Sequence, residues 1–219
     1  MAFDRYFDEK ARRFSAFYRS ELVSRAIGRG ALFHRLRFAV EKARQLGARH
    51  VLDVGCGSGP LFAPLAQMGI RVTGVEPAPE MVALAQAEAD RFPGMIEVRR
   101  EGWEDIADVD RYDLAVALGV FDYVDDPAAL LRVMSRAAPN VVGSFPSRGL
   151  RTDLRRVRYG RKGVSVYPYD FTRLVSLARE TGLELAEARA LGRAGHAVLL
   201  TREAADRQSA GQPNAHGAS

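Results

Sequence analysis

The hydrophobic pattern of this chain changes character at residue 48. Before it, apolar and aromatic side chains recur at the three- and four-residue spacings of helices: Phe3, Tyr6 and Phe7, then Phe14, Phe17 and Tyr18, then Leu32, Leu36 and Val40. Gly28 and Gly30 break this region into two pieces, and Gly47 stops its last helix. After it, short apolar runs alternate with amphipathic stretches. The runs predict strands near 50–55, 71–76, 96–100, 112–118 and 140–146; the stretches predict helices near 60–68, 79–90 and 127–138. Such alternation folds as a parallel sheet with helices on both faces, because each parallel strand must be reached by a crossover.

Past residue 146 the alternation stops. Residues 147–162 are polar and arginine-rich, a predicted helix, and 163–169 read as an irregular connection. Asp170 is placed to cap a helix over 171–181, which Gly182 ends, and two further strands follow near 183–191 and 196–202. Residues 203–219 have no apolar periodicity and carry Gln, Ser, Gly, Pro and Asn, so a disordered tail is expected there. The chain thus divides into a helical region at 1–47, an α/β core at 48–202 interrupted by a basic insertion at 147–169, and the tail.

At 219 residues, 47% of them hydrophobic, the chain is long enough to bury a core of its own. No apolar stretch approaches the roughly 20 residues of a membrane span, the first residues lack the apolar core of a secretion signal, and no membrane partner is expected. Cys56 is the one cysteine, so no intrachain disulfide can form and a cytoplasmic setting is expected. A net charge of +5 is too mild by itself to argue for nucleic acid. The charge is unevenly spread: residues 148–162 hold seven basic side chains against the single acid Asp153.

The chemistry centres on Val51-Leu52-Asp53-Val54-Gly55-Cys56-Gly57-Ser58-Gly59, a strand that breaks into a glycine turn and enters a helix with Pro60 at its first position. Glycines in such a turn accept positive φ and let the backbone approach a ligand. The next strand ends in Glu76, and an acid about 20 residues beyond a glycine turn is the nucleoside-binding arrangement of doubly wound sheets. Two ligands compete for it. A dinucleotide site would place a third glycine at position 60, where this chain has proline; the glycines fall instead at 55, 57 and 59. Asp53, two residues before the turn, would repel a pyrophosphate but suits a cation. S-adenosylmethionine is a nucleoside with a sulfonium and an ammonium group and no phosphate. Together with Val72-Thr73-Gly74-Val75-Glu76-Pro77-Ala78-Pro79-Glu80-Met81, this segment closely resembles the class I S-adenosylmethionine-dependent methyltransferases.

The resemblance implies a Rossmann-like, doubly wound, seven-stranded sheet closed by a C-terminal antiparallel hairpin, with residues 1–47 as a helical lid. It implies S-adenosyl-L-methionine as methyl donor and S-adenosyl-L-homocysteine as product. It sets Asp53, Gly55, Cys56, Gly57, Pro77, Met81, Leu118 and Gly119 beside the cofactor and gives Glu76 the ribose hydroxyls, which a carboxylate can accept with its two oxygens. Asp53 either faces the cation, directly or through water, or caps the turn amides. Where many relatives carry an aspartate for the adenine amino group, this chain has Gly102, in Glu101-Gly102-Trp103-Glu104-Asp105. Trp103 then either flanks the adenine, with Glu104 or Asp105 reading its edge, or covers the bottom of the sheet.

Phe121, Asp122 and Tyr123 follow the fourth core strand, and face cofactor or acceptor or pack beneath the lid; Asp126 before Pro127 reads as a helix cap. Residues 119–123 (Gly-Val-Phe-Asp-Tyr), 143–146 (Gly-Ser-Phe-Pro), the arginine-rich run and 166–169 (Val-Tyr-Pro-Tyr) resemble more narrowly a bacterial subgroup of small-molecule methyltransferases, distantly similar to the magnesium-protoporphyrin O-methyltransferases. Arg148, Arg151 and Arg155, with Tyr167, are candidate acceptor contacts, and Arg158 belongs to the same arginine cluster, since a guanidinium fork suits a carboxylate or phosphate; the alternative is a solvated arginine face.

His34 and Tyr123 are the candidate catalytic groups, His34 serving as base for an alcohol or phenol or else simply packing. The histidines, His34, His50, His196 and His216, are scattered, and no metal is expected. The leading reading is methyl transfer to an O or N nucleophile of a small, anionic metabolite. RNA or protein methylation is an alternative suggested by the arginines, although no nucleic-acid module accompanies them. A third is a use of the sulfonium other than methyl transfer, such as a cyclisation that releases methylthioadenosine.

Overall fold

The structure, a computed structural model, describes residues 31–161 and 163–202. Residues 1–30 of the lid expected at 1–47, and the tail expected at 203–219, lie outside the described residues. Seven strands form one sheet: β1 (His50–Val54), β2 (Arg71–Val75), β3 (Ile96–Arg99), β4 (Leu114–Leu118), β5 (Asn140–Pro146), β6 (Leu183–Ala190) and β7 (Gly195–Arg202). Their order is β3-β2-β1-β4-β5-β7-β6. The first five run parallel, and β7 lies antiparallel between β5 and β6. This is the Rossmann-like sheet with its closing hairpin.

Successive side chains of a strand point to opposite faces, and the core divides accordingly. Val51, Val72, Leu114, Val116 and Val142 pack with Phe38, Phe62 and Leu65 on one face, beneath α1 (Ala31–Gln45), α2 (Phe62–Ala66) and the alanines of α3 (Pro79–Ala89). Leu52, Val54, Ala115 and Ala117 meet Leu131, Met134, Leu174 and Leu177 on the other, beneath α4 (Pro127–Ala137) and α6 (Phe171–Glu180). Both aspartate caps form: Asp126 accepts the N–H of Ala129 at 2.9 Å, and Asp170 that of Arg173 at 2.8 Å.

Two boundaries differ from the pattern for local reasons. The helix after the glycine turn begins only at Phe62, because the Phe62 N–H closes a tight turn on the Gly59 carbonyl at 3.0 Å; Pro60 lies in that turn, not in the helix. β4 begins at Leu114 because the Asp113 carboxylate takes the main-chain N–H groups of Arg49 and His50, at 2.7 and 2.9 Å, before the ladder starts. The basic insertion is a helix, α5 (Leu150–Gly160), between β5 and α6. Ser147 bridges to Tyr169, whose N–H donates to the Pro146 carbonyl at 2.8 Å. The insertion therefore leaves and rejoins the sheet at one point.

Strand order reverses between β1 and β4, and in such sheets the crevice outside the carboxyl ends at the reversal receives ligands. Among the described residues no helix is long and apolar enough to cross a membrane.

Candidate active site

A cavity of about 1070 Å³ opens at that reversal. Its floor is the glycine turn after β1. Gly55 sits at φ +66°, and a Cβ there would lie 2.5 Å from the Cγ2 of Val120, so only glycine leaves both the turn and the neighbouring loop in place. The N–H groups of Gly55 and Cys56 both donate to the Val75 carbonyl, at 2.9 and 3.0 Å, which fixes the turn against the end of β2.

Glu76, just beyond β2, closes the same turn from the side. Its Oε2 accepts the Gly57 N–H at 3.0 Å and its Oε1 the Ala78 N–H at 3.1 Å. Each carboxylate oxygen has a second lone pair, so these bonds hold the group in place and leave it able to accept hydroxyls from a sugar. Asp53 is buried beside it, 3% exposed. Burial first, and the Glu76 charge second, push its carboxyl up to about 8. Burial also pushes the Cys56 thiol up, which keeps it neutral and unreactive.

The cavity's far end is made by Ala78, Met81 and residues 101–105. Trp103 lines it and packs, partly buried, against the core. The Asp105 carboxylate turns back to accept the Gly102 N–H at 3.2 Å. Glu101 Oε1 is buried there with no hydrogen bond, 3.8 Å from a guanidinium nitrogen of Arg99, and burial raises its pKa.

The opposite end is built from segments far apart in sequence. An Arg155 guanidinium nitrogen lies 2.7 Å from the buried Asp122 carboxylate and 3.1 Å from the Tyr123 hydroxyl, and the guanidinium stands 5.7 Å from the Tyr159 ring centre. The Asp122 carbonyl accepts the Tyr167 N–H at 2.9 Å. Burial, then the Asp122 charge, raise the Tyr123 phenol, so it stays protonated at neutral pH. Arg158 lines the rim, exposed and with no ion pair among the described residues.

All the residues expected at the cofactor line this cavity: Asp53, Gly55, Cys56, Gly57, Glu76, Pro77, Met81, Gly102, Trp103, Glu104, Leu118 and Gly119. Of the acceptor candidates, Asp122, Tyr123 and Arg155 do. Phe121 does not: it is fully buried and stacks on Phe145 at 4.2 Å, a core residue. Arg148 is exposed, 3.5 Å from Asp170, and Tyr167 does not line the cavity, meeting the site only through its N–H to the Asp122 carbonyl. The Arg151 side chain lies outside the described residues. His34 is exposed and off the cavity, because the helix turns Leu32, Arg35 and Leu36 inward instead.

Arg158, the fourth arginine of the expected anion-binding cluster, lines the cavity, and so do Arg35, Glu101, Thr152 and Tyr159, which had not been singled out as contacts. Helical phase could have found Tyr159, four residues from Arg155, and Arg35, between Leu32 and Leu36. Nothing in the sequence marks Glu101 over its acidic neighbours. Among the described residues no group of three His, Cys, Asp or Glu side chains is placed to hold a metal ion.

A cavity with two buried carboxylates at its floor, one of them raised by burial and then by the other's charge, fits a ligand that brings a positive centre and hydroxyls together. A methyltransferase domain family matches residues 23–188. The chain belongs to that family. Its cofactor is S-adenosylmethionine, and a cavity lined by buried carboxylates and a tryptophan has the chemistry to suit a cation, hydroxyls and an aromatic base.

Over 90 residues the chain is 40% identical to the ubiquinone biosynthesis O-methyltransferase of Azorhizobium caulinodans, a match covering 41% of this chain and 36% of that one. A relative of the same name from a Methylobacterium species is 39% identical over 88 residues, covering 40% and 35%. The matches thus span about a third of the length of these relatives. In fold it is similar to the magnesium protoporphyrin IX methyltransferase of Synechocystis PCC 6803 with bound S-adenosylhomocysteine, at a TM-score of 0.75 and 21% identity over 91% of this chain and 97% of that one. The 1,6-didemethyltoxoflavin-N1-methyltransferase of Burkholderia thailandensis aligns at a TM-score of 0.61 and 21% identity, covering 88% and 89%.

Proposed function

We propose that this protein transfers the methyl group of S-adenosylmethionine to an oxygen or nitrogen of a small acceptor that carries a negative charge. The observation that carries the reading is one continuous cavity, with the Asp53–Glu76 acids at its floor and the Asp122–Arg155–Tyr123 cluster at one end. The cofactor supplies an already electrophilic methyl group, so the protein's task is to align a nucleophile and exclude water. Asp53 attracts the cationic end, and Glu76 holds the glycine turn and the ribose.

At the acceptor end the groups favour an ionised nucleophile. None of the three described histidines lines the cavity, and the Tyr123 phenol, raised by burial and accepting a hydrogen bond from Arg155, stays protonated and is not a base there. An acceptor that arrives already ionised needs no base, and an arginine at the rim stabilises it. Arg155 is held by Asp122, so it orients Tyr123 and Tyr159, while Arg158 is the cation offered to the incoming anion.

The test is methyl transfer from labelled S-adenosylmethionine to hydroxyaromatic carboxylic acids and to their neutral amides, with both sulfur products resolved by chromatography. The expected result is S-adenosylhomocysteine, a lower KM for the acids, and a KM that rises with salt and on Arg158→Ala. Methylthioadenosine as product, or label carried by RNA or protein, would overturn the reading; equal use of acid and amide would remove the charge from it.

A further inference from the structure

The helix α5 wears its amphipathicity inside out. The side it turns to the cavity is polar: Thr152 is buried, and Arg155 and Tyr159 are half-buried. Its apolar side chains face solvent, Leu154 at 64% exposure and Val157 at 59%. They lie three residues apart and so share one face. Arg156, Arg158 and Arg161, all exposed, stand on the same helix against one exposed acid, Asp153, 3.9 Å from Arg156. A surface helix that contributed only to this fold would point such residues at the core.

We propose that the outer face of α5 docks on a lipid bilayer containing anionic headgroups, with Leu154 and Val157 entering the interface and the arginines meeting phosphate. Charge selects this occupant. Residues 1–30 of the same chain carry seven basic and four acidic side chains, and the whole chain is +5, so neither that segment nor a second copy complements a helix whose exposed arginines outnumber its acid. An anionic membrane surface does, and a short helix with basic flanks and an apolar strip is suited to lie in it. The expectation of no membrane partner came from the lack of a spanning segment, which a helix lying flat in the interface does not need. One consequence concerns supply: Thr152, Arg155 and Tyr159 line the cavity from the inner side of the same helix, so a lipid-dissolved acceptor would meet the site without crossing bulk water. The docking itself does not depend on which acceptor is methylated, and its failure would leave methyl transfer standing.

The experiment is co-sedimentation of the full chain with vesicles of phosphatidylcholine alone or in equal parts with phosphatidylglycerol. Binding is expected to the mixed vesicles only, and to disappear at high salt. Leu154→Asp with Val157→Asp should weaken it by about tenfold or more, as should Arg156→Glu with Arg161→Glu, while Leu154→Trp strengthens it. These side chains are exposed and off the cavity, so S-adenosylhomocysteine affinity, measured on each variant, should be unchanged and shows that the fold is intact. No sedimentation with the mixed vesicles, or equal sedimentation of Leu154→Asp/Val157→Asp and the unaltered chain, would overturn the proposal. A dimer that this double variant abolishes, with no vesicle binding, would assign the face to a second copy instead.

Discussion

The two ends of the cavity are built on different principles. At the cofactor end, side chains are fixed by main chain: Glu76 is held by two backbone N–H groups, and the glycine turn by the Val75 carbonyl. At the acceptor end, side chains are fixed by one another: Arg155 reaches across to Asp122 and Tyr123 from a helix inserted after β5. The first arrangement tolerates little change, because backbone hydrogen bonds allow few substitutes. The second can be retuned one residue at a time. A fold that keeps one cofactor and varies its acceptor gains from having both.

The largest effect that would separate the two ends is pH. Asp53 titrates at about 8 in the ligand-free protein, so at neutral pH it is mostly protonated and must lose that proton to face a cation. Cofactor affinity should climb with pH by about tenfold per unit until about 8 and then level off, and Asp53→Asn should flatten the curve. Calorimetric titrations across the range check this. If S-adenosylhomocysteine shows the same slope, the ammonium is the partner; if only S-adenosylmethionine does, the sulfonium is. The same raised value acts on the fold: its contribution is complete below the ordinary carboxyl value of 3.8 and is lost as the pH rises through about 8. Thermal melting of the ligand-free protein should therefore fall over that window, and less so in Asp53→Asn.

Next in size is Glu76→Ala, expected to weaken cofactor binding by about 1–3 kcal/mol while leaving the acceptor KM alone. Unchanged affinity in the folded variant would show that the ribose is held by other groups. Arg155→Ala should do the reverse, lowering acceptor kcat/KM by about tenfold at unchanged cofactor affinity, because it releases Asp122 and Tyr123 together. Arg155→Lys should not rescue it, since a single ammonium cannot reproduce the planar contact with both partners and the Tyr159 ring. Loss of cofactor binding in either Arg155 variant would erase the distinction between the two ends. The smallest effect is Asp170→Ala, which removes a helix cap remote from the cavity: about 1 kcal/mol of stability by chemical denaturation, with both kinetic constants intact.

The same contrast explains what could be read from the sequence. Glycine spacing, strand ends and caps are local, and the cofactor end is made of them, so Asp53, the glycines and Glu76 could all be located from residue order. Asp122 and Arg155 are 33 positions apart, and no local pattern says that they meet. The arginine run was visible as charge, but charge alone does not distinguish Arg155, neutralised by a buried acid, from Arg148 on the surface or Arg158 at the rim. His34 misled for a related reason: a helix one residue out of phase presents a different side chain to the cavity, and Arg35 stands where a base was expected. Phe121 could not be told from its neighbours because the loop after β4 alternates between core and cavity within three residues.

The bridge between Ser147 and Tyr169 brings the two ends of the insertion side by side at the tip of β5. A segment whose entry and exit coincide can be lengthened, shortened or exchanged whole, and the sheet need not move to receive it. If the insertion contributes to acceptor choice as proposed, replacing residues 148–168 should alter the acceptor while leaving the glycine turn and Glu76 as they are.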